Sequence, residues 1–375
     1  MFSIVIICKD EERVIKRCIE YIQQDIEEND EIIVIDTGST DNTIDIVSRM
    51  RNVKLFHFKW NDNFADARNF GISKAKKDWI FFIDADEILT RGSLLELKKS
   101  IEEAIKSSSK TEKLTFSPKA VNLDDSIFYN AGRIFANDNS IEYEGCIHEY
   151  PVTLDKDLKL VTLRVPKVVV KHDGYEKEVQ ESKNKTIRNT NLIKKELAIN
   201  PNNPQYYYYY YRDAKPLLTH QEYEQGMLDF FGKFPDSPYM DQVIKDLAYH
   251  YIQNNKNDLA EKYIEMLFDS AKNGIKENHH IAILFTAMNE IQRIKIQQND
   301  LLKLLVYTQE NFLHQEETYF DKGYIFDELI GTLFFHLEEY QTAYKISREL
   351  ENNGYPSHLC EMIDKTTFFN YQYNK

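Results

Sequence analysis

The chain has 375 residues, of which 42% are hydrophobic and 29% are charged, and its formal net charge is -14. This length exceeds that of most single hydrophobic cores, so we expect two soluble globular domains. The negative charge argues against nucleic acid or an anionic membrane surface as the main partner, because both attract clustered Lys and Arg. A basic partner would be attracted more easily.

The four cysteines, Cys8, Cys18, Cys146 and Cys360, have no metal-ligand or redox spacing, and no apolar signal segment precedes them. This pattern favours a reducing, cytoplasmic location. No apolar run approaches the roughly 18 residues of a membrane-spanning helix, so we expect no membrane span.

The first ninety residues alternate between apolar runs and amphipathic segments. Strands are predicted over 2–8, 31–36, 53–60 and 79–83, with helices between them. This alternation predicts a doubly wound, mostly parallel α/β sheet, whose ligands bind beyond the carboxyl ends of the strands. Acidic residues follow three of these strands, at Lys9-Asp10-Glu11, Asp36 and Asp84-Ala85-Asp86. We therefore expect these acids to converge on one crevice.

The sequence contains no common phosphate-binding loop. Neither G-x-G-x-x-G nor G-x-x-x-x-G-K occurs, which removes the usual dinucleotide and P-loop sites. After a predicted helix over 93–105, short β-prone stretches are expected to complete the sheet. These stretches cover 113–121, 127–135, 141–144 and 159–171.

From about residue 180 the chain is predicted to be helical to its end. Three segments, near 192–212, 258–263 and 339–344, resemble degenerate tetratricopeptide repeats, whose usual spacing is ~34 residues. We predict domains at 1–180 and 181–375, the second of which would bind an acceptor or form a homodimer. The run Tyr206–Tyr211 must face all sides of a helix, so core packing is favoured over an aromatic binding surface.

Residues 1 to about 175 resemble the family 2 glycosyltransferases of the GT-A fold. The resemblance rests on Lys9-Asp10-Glu11-Glu12, on the segment Asp36-Thr37-Gly38-Ser39-Thr40-Asp41-Asn42-Thr43 and on Asp84-Ala85-Asp86, in that order. It implies a GT-A catalytic domain with a Rossmann-like, mostly parallel sheet, followed by an all-α helical-repeat domain. With Phe64-Ala65-Asp66-Ala67-Arg68-Asn69, the pair His148-Glu149 and the helical tail, the chain is similar to the sublancin-type bacteriocin (glycocin) S-glycosyltransferases, which attach a sugar to a peptide cysteine.

The resemblance implies a UDP-sugar donor and a divalent cation. Mg²⁺ or Mn²⁺ would stabilise the charge that gathers on the departing diphosphate. Asp86 is the expected metal ligand, as the D-x-D pattern implies, and His172 matches a position where the family supplies a histidine to the metal. The alternatives are acids that are merely solvated at a strand tip and a histidine that is hydrogen-bonded at the surface.

The same resemblance implies which residues bind the nucleoside. Asp36 is expected to accept a hydrogen bond from the imide N–H of uracil, with Thr37 or Glu11 helping to hold the nucleoside. Asp84 is expected to face the ribose or to orient its loop. The alternative for Asp36 is a cap on the following helix.

Arg68 lies in a predicted helix that is otherwise apolar enough to pack on the sheet. Its guanidinium group suits a phosphate or a base, so we expect it to reach the nucleotide. A salt bridge to Asp66 or Asp84 is the alternative.

An inverting transferase needs a base on the side of the sugar opposite the leaving diphosphate. We expect Glu149 to take the acceptor proton, with His148 as the second candidate, although the usual family base is an aspartate. A cysteine acceptor needs less help, because its thiol pKa is ~8.5 and the thiolate is strongly nucleophilic. Alternatively, the pair His148-Glu149 only orients its loop.

We therefore predict an inverting, metal-dependent transferase that moves a hexose or N-acetylhexosamine from a UDP-sugar to a Cys thiol or Ser hydroxyl of a bacteriocin precursor peptide. A transferase for lipopolysaccharide core or another surface glycan is the alternative among enzymes. A helical-repeat scaffold with a decayed transferase domain is the alternative outside them.

Overall fold

The computed structural model describes residues 1–109, 111–122, 124–129, 132–172, 185–312 and 324–365. The chain forms two compact units, Met1–Leu218 and Thr219–Lys375. The first unit contains strands and helices, and the second is helical wherever the structure describes its secondary structure. No helix in the described part of the chain is long and apolar enough to cross a membrane.

One mixed sheet organises the first unit, in the order β3-β2-β1-β4-β8-β6-β11-β5, with β7 beside β6. A separate antiparallel ribbon joins β9 to β10. The strands are β1 (Phe2–Cys8), β2 (Glu31–Asp36), β3 (Val53–His57), β4 (Trp79–Asp84), β5 (Glu87–Leu89), β6 (Glu112–Val121), β7 (Ile127–Tyr129), β8 (Ile134–Ala136), β9 (Ile141–Glu144), β10 (Tyr150–Thr153) and β11 (Lys159–His172).

The first four strands, β1 to β4, pair in parallel. The strands β1, β2 and β4 are buried on both faces. Ile4 and Ile6 of β1 face a core shared with three helices, and Val5 faces the opposite core. The first core receives α1 (Ile15–Gln23), α2 (Thr43–Ser48) and α4 (Ser93–Ser107); the second receives α3 (Phe64–Lys74). Side chains alternate along a strand, so a continuous apolar run is what a sheet covered on both sides requires.

The strand order positions the site. The chain runs from β1 to β2 and β3 on one side, then returns to place β4 on the other side of β1. The order therefore reverses between β1 and β4, which is where ligands of such sheets bind. Gly71 of α3 lets this helix approach the sheet closely, because a Cβ there would lie 2.9 Å from Val5 Cγ1.

Two helices that the sequence assigned to the helical domain belong to the first compact unit. These are α5 (Lys185–Ile199) and α6 (Pro204–Ala214). They pack on the loop after β9, in a cluster made of Cys146, Ile147, Leu192, Ile193 and Tyr206. Tyr206–Tyr208 are buried, and Tyr206 Oη accepts a hydrogen bond of 3.2 Å from Cys146 N. The start of the tyrosine run therefore packs in a core.

The second unit is a series of helices that pack in succession: α8 on α9, α9 on α10, α10 on α11 and α11 on α12. This arrangement is typical of helical repeats. The helices are α7 (His220–Lys233), α8 (Met240–Gln253), α9 (Asn257–Lys272), α10 (Glu277–Phe312), α11 (Tyr324–His336), α12 (Tyr340–Asn352) and α13 (His358–Lys365).

The predicted fold class is confirmed: a mixed α/β sheet domain is followed by an all-helical region. Most predicted strands begin and end within a few residues of the observed ones. The stretch predicted over 127–135 is instead two strands, β7 and β8, and its residues 130 and 131 lie outside the described residues.

Candidate active site

The loops after β1 and β2 hold each other in place. Asp10 has a left-handed backbone (φ 53°), and its carboxylate accepts hydrogen bonds from Thr40 N at 2.7 Å and Thr40 Oγ1 at 3.1 Å. In return Asp10 N donates to Ser39 Oγ, and Glu11 N donates to Thr43 Oγ1. A left-handed non-glycine residue costs free energy, which these cross-loop bonds offset. The floor of the crevice is therefore fixed before any ligand binds.

Asp36 is buried at the end of β2, and its carboxylate accepts the backbone N–H groups of Gly38 and Ser39, both at 3.1 Å. His57 Nδ1 lies 3.3 Å from Asp36 Oδ2. Burial acts against ionisation, but these hydrogen bonds lower the pKa of Asp36 below its usual range.

A buried network supports the turn after β4. Arg133 donates to Asp84 Oδ2 at 2.5 Å and to Glu87 Oε2 at 2.6 Å, and Asp84 N donates to Glu87 Oε2. Glu87 is fully buried. Burial opposes ionisation of Asp84, but the Arg133 and Arg68 guanidinium groups lower its pKa to about 2. Burial raises the pKa of Glu87, against the effect of Arg133.

Arg68 of α3 joins the acid-rich turn to the polar cluster after β9. Its Nε donates to Glu149 Oε1 at 2.6 Å, and its Nη2 lies 3.6 Å from Asp84 Oδ1. The guanidinium group lies 5.0 Å from the Phe82 ring centroid and 5.3 Å from that of Tyr143. The salt bridge to Asp84 that the sequence left open is present. Asp66 instead accepts a hydrogen bond from Asn61.

His148 is held from the helix α6. It has a left-handed backbone (φ 52°), and its Nε2 lies 2.6 Å from Asp213 Oδ2 and 2.9 Å from Arg212 Nη2. The Tyr209 ring centroid is 4.4 Å from that of His148. If Nε2 carries the ring proton it donates to Asp213, which leaves the lone pair on Nδ1. Burial acts the other way, but hydrogen bonds from His148 and Arg212 lower the pKa of Asp213.

A cavity of about 600 Å³ in the first unit lies at this site. The residues predicted from the sequence that line it are Glu11, Thr37, Arg68, Asp84, Asp86, His148 and Glu149. Asp36 and His172 do not contribute to its wall among the described residues. The helix α5 adds Lys185, Arg188 and Asn189 to the wall.

His172 at the end of β11, the second predicted metal ligand, pairs across the strands with Glu87, the residue that follows Asp86. Its Nε2 is 3.6 Å from Glu87 Oε1, and its ring stacks on Phe128. Asp86 has no hydrogen bond or ion pair to any described residue. No group of three or more His, Cys, Asp or Glu in the described chain is arranged to hold a metal.

This donor set nevertheless fits a metal that reaches the site with a diphosphate. Mg²⁺ in such sites takes one or two protein carboxylates, with waters and substrate phosphates completing its coordination. Asp86 lines the cavity as an unengaged carboxylate among the described residues, which is the donor such an ion needs.

Besides Lys185 and Asn189 of the cavity wall, the sequence prediction missed four charged residues at the site. They are Arg133, Arg188, Arg212 and Asp213. A lone arginine inside the apolar run 127–135 was a signal for Arg133, since a charge there must find buried partners. Nothing in the sequence linked α6 to His148, because that contact spans more than sixty residues.

Comparison with known proteins agrees with this architecture. Residues 3–109 match the model of the family described as Glycosyl transferase family 2. The SPbeta prophage-derived glycosyltransferase SunS of Bacillus subtilis (strain 168) is 25% identical over 369 residues, which cover 96% of this chain and 82% of that protein. A TPR repeat-containing protein of Synechococcus elongatus is 30% identical over 183 residues, covering 46% of this chain and 42% of that one.

Among solved structures, S. aureus TarS 1–349 in complex with UDP-GlcNAc is similar at a TM-score of 0.38 and 15% identity, covering 80% of this chain and 92% of that chain. The family match lies on the strands and loops that build the cavity, and the SunS similarity runs through both units. Residues 3–109 therefore match glycosyl transferase family 2, and the mixed α/β domain that contains them is followed by a helical region.

Proposed function

We propose that the chain is an inverting, metal-dependent transferase that moves a hexose or N-acetylhexosamine from a UDP-sugar to a peptide, on a Cys thiol or a Ser hydroxyl. One observation carries this proposal: a single cavity gathers the acid-rich turn after β4, the loops after β1 and β2, and the pair His148-Glu149. A sugar transferase needs the residues that bind the donor on one side of the anomeric carbon and a base on the other side. In this cavity the three loops supply the first and the pair His148-Glu149 supplies the second.

The donor lies along the loops that follow β1, β2 and β4. Asp36 receives the uracil imide N–H, with Thr37 and Glu11 beside the nucleoside, and Asp84 faces the ribose. Asp36 keeps its carboxylate ionised through its hydrogen bonds to Gly38 and Ser39, which suits an acceptor. Asp86 and His172 would hold Mn²⁺ or Mg²⁺, which supplies positive charge for the leaving diphosphate.

Glu149 takes the proton from the acceptor S–H or O–H, and the freed electron pair attacks the anomeric carbon as the bond to UDP breaks. Arg68 fixes the Glu149 carboxylate at 2.6 Å and so orients it in the cavity wall. His148 is the second candidate for this proton. A positioned base of this kind contributes typically 10²–10⁴-fold to the rate.

The peptide acceptor rests on the resemblance to glycocin synthases, and it is consistent with similarity to SunS over 96% of this chain. A bacteriocin precursor would be glycosylated before export, which places the reaction in the cytoplasm. A lipopolysaccharide-core or surface-glycan acceptor remains the alternative, and the acceptor arm of the test below separates the two.

The test measures UDP release and product mass. The protein is incubated with UDP-glucose or UDP-N-acetylglucosamine, with Mn²⁺ or with EDTA, and with peptides that carry one Cys, one Ser or neither. We expect UDP release that EDTA abolishes and a peptide mass increased by one sugar only when Cys or Ser is present. Glycosylation of a lipid-linked or free glycan in place of any peptide would contradict the acceptor assignment.

Two substitutions assign the roles. Glu149→Gln should lower kcat by about 10²–10⁴-fold with donor binding retained, while Glu144→Gln, at an exposed position on β9, should leave kcat unchanged. Asp86→Ala should remove the response to Mn²⁺ in a folded protein. If Asp86→Ala keeps full metal-dependent turnover, Asp86 is not a ligand.

A further inference from the structure

Two cations of the helix α5 line the cavity without an acidic partner among the described residues. Lys185 and Arg188 both contribute to the cavity wall, and they lie three positions apart, which places them on the same face of the helix. Neither side chain forms an ion pair with a carboxylate in the part of the chain that the structure describes. Arg188 is exposed, so a bound molecule can reach it. We call these two residues the α5 cation pair.

Arg188 differs in this respect from Arg68, the other arginine in the described wall of the cavity. Burial opposes the charge of Arg68, but Glu149 and Asp84 raise the pKa of its guanidinium group. Partial burial lowers the pKa of Arg188, and no described carboxylate acts against it. A partly buried cation in this situation gains charge stabilisation when an anion binds beside it.

The carboxylates that share the cavity are held by other groups. Glu149 accepts a hydrogen bond from Arg68, Asp84 accepts one from Arg133, and Asp10 accepts two from Thr40. These contacts keep the three acids away from the α5 cation pair. A ligand is therefore the source of an anion for the pair.

The guanidinium group of Arg188 is held from two sides. Its Cζ lies 5.4 Å from the Phe64 ring centroid, and its Nε and Nη2 donate to Asn189 Oδ1 at 3.2 and 3.1 Å. No described residue contacts the edge formed by Nη1 and Nη2. A carboxylate binds such an edge through two parallel hydrogen bonds, and the planar group is already oriented for it.

The helix α5 adjoins the side of the cavity that carries the proposed base. Ile193 packs in one cluster with Ile147, the residue before His148-Glu149. Phe64, whose ring lies beside Arg188, packs against the same cluster. In the proposed reaction this side meets the acceptor, whereas the loops after β1, β2 and β4 hold the UDP-sugar. The α5 cation pair therefore lies beside the acceptor.

The size of the cavity limits the distance between the bound anion and the reacting atom. A compact cavity of about 600 Å³ is roughly 8 Å across, and an extended peptide spans ~3.3 Å per residue. An acidic side chain bound in the same cavity should therefore lie within about three residues of the acceptor.

We propose that Lys185 and Arg188 form a carboxylate-binding subsite, which selects peptides with an Asp or Glu within about three residues of the glycosylated Cys or Ser. The proposal rests on the proposed function, because it names a property of the acceptor at that same site. Arg188 binds the carboxylate through two N–H groups, and Lys185 adds a second positive charge. The net charge of -14 acts on the peptide as a whole, while the pair acts on the one side chain that enters the cavity.

The test measures kcat and KM for short peptides that carry one central Cys. In each peptide, one of the three positions on either side of the Cys is Asp, Asn or Lys, and the other residues are uncharged. With the wild type we expect at least one position at which the Asp peptide has a KM about tenfold below that of the Asn peptide, with the Lys peptide higher still. The value of kcat should be the same for all three, because the pair does not touch the reacting atoms.

Three variants separate recognition of the anion from a structural role. Arg188→Gln should remove the preference for Asp, and Arg188→Glu should reverse it, so that the Lys peptide has the lower KM. Loss of packing alone cannot reverse a charge preference. The matched control is Lys194→Gln, which removes a positive charge from an exposed position of the same helix outside the described cavity wall and should keep the preference. Circular dichroism confirms that each variant is folded.

Calorimetric titration with UDP provides a second measurement, which does not depend on turnover. The dissociation constant for UDP should be the same in the wild type, Arg188→Gln and Lys194→Gln, because the pair lies beside the acceptor. If Arg188→Gln weakens UDP binding by about tenfold or more and leaves the peptide preference unchanged, the pair binds the donor diphosphate and the proposal is wrong.

Two further outcomes would overturn the proposal, and they differ in what they leave standing. Equal KM values for the Asp, Asn and Lys peptides at every position would remove the subsite while the peptide transferase remains. If no peptide receives a sugar, the proposed function itself fails, and the subsite fails with it.

Discussion

Arg133 is the residue on which the acid-rich turn after β4 depends. It contacts the fully buried Glu87 and the carboxylate of Asp84, and its own side chain is 10% exposed. The sequence placed Asp84 and Asp86 at a strand tip correctly. It left Glu87 without a role, because a carboxylate buried with a distant arginine looks, in the sequence, like any other acid.

Arg133→Ala should lower the free energy of unfolding by about 3–5 kcal/mol, since it leaves the buried Glu87 carboxylate without its cation. Urea unfolding measures this loss. Arg164→Ala, at an exposed position on β11, is the control and should change stability by less than about 1 kcal/mol. An Arg133→Ala protein as stable as the control would show that Glu87 does not need this arginine.

Asp213 links stability to pH through its contact with His148. Its pKa in the folded protein lies below the usual value of 3.8, so its carboxylate stabilises the fold above that pH. This contribution is lost as pH falls through the lowered pKa. Asp213→Asn should therefore be less stable than the wild type by about 1.5–3 kcal/mol at pH 7, the range for hydrogen bonds to charged groups.

The difference in urea midpoint between wild type and Asp213→Asn should shrink as the pH is taken below 3.8. Asp229→Asn in the helix α7 is a matched control, because its carboxylate accepts a hydrogen bond from Gln225 within the same helix. If the difference in urea midpoint stays constant from pH 7 to below pH 3.8, the ion pair between Asp213 and His148 does not cause it.

At the scale of elements, α5 and α6 are the unexpected part of the catalytic unit. Helical periodicity predicted both helices, but periodicity does not say which surface a helix covers. Ile193 and Tyr206 are buried against Ile147 in the loop that carries His148. These two helices therefore set the position of the polar cluster after β9, and they bring Asp213 and Arg188 to the site.

A chain ended after Leu218 should fold cooperatively and keep UDP-sugar binding, whereas a chain ended after residue 180 should be unstable or aggregate. The shorter chain exposes Cys146 and Ile147 and loses the partner of His148. Unfolding monitored by circular dichroism, together with UDP-sugar titration, separates the two. A stable, donor-binding chain ended at residue 180 would show that α5 and α6 are dispensable.

At the scale of the whole molecule, the structure separates the compact units at Leu218 and Thr219, while the sequence predicted domains at 1–180 and 181–375. The change of composition near residue 180 marks where strands give way to helices. It does not mark where one core ends, because a core is defined by contacts between distant residues. The net charge of -14 belongs to this scale as well, since it concerns what the molecule meets outside itself.

The sequence by itself determined the α/β order, the parallel leading strands and the chemical class of the site, because apolar periodicity and acids at strand ends are local patterns. The motifs and the family resemblance that they carry pointed to Glu11, Thr37, Arg68, Asp84, Asp86, His148 and Glu149, which line one cavity, and to Asp36 and His172, which do not. Only the tertiary structure decided that Arg68 holds Glu149, that Arg133 joins Asp84 to Glu87, and that Asp213 holds His148. The residues of these pairs are far apart in the sequence. Arg68 and Glu149 are separated by 81 positions, Arg133 by 49 from Asp84 and by 46 from Glu87, and His148 by 65 from Asp213. Such pairings follow from packing of the whole chain, which no local pattern encodes.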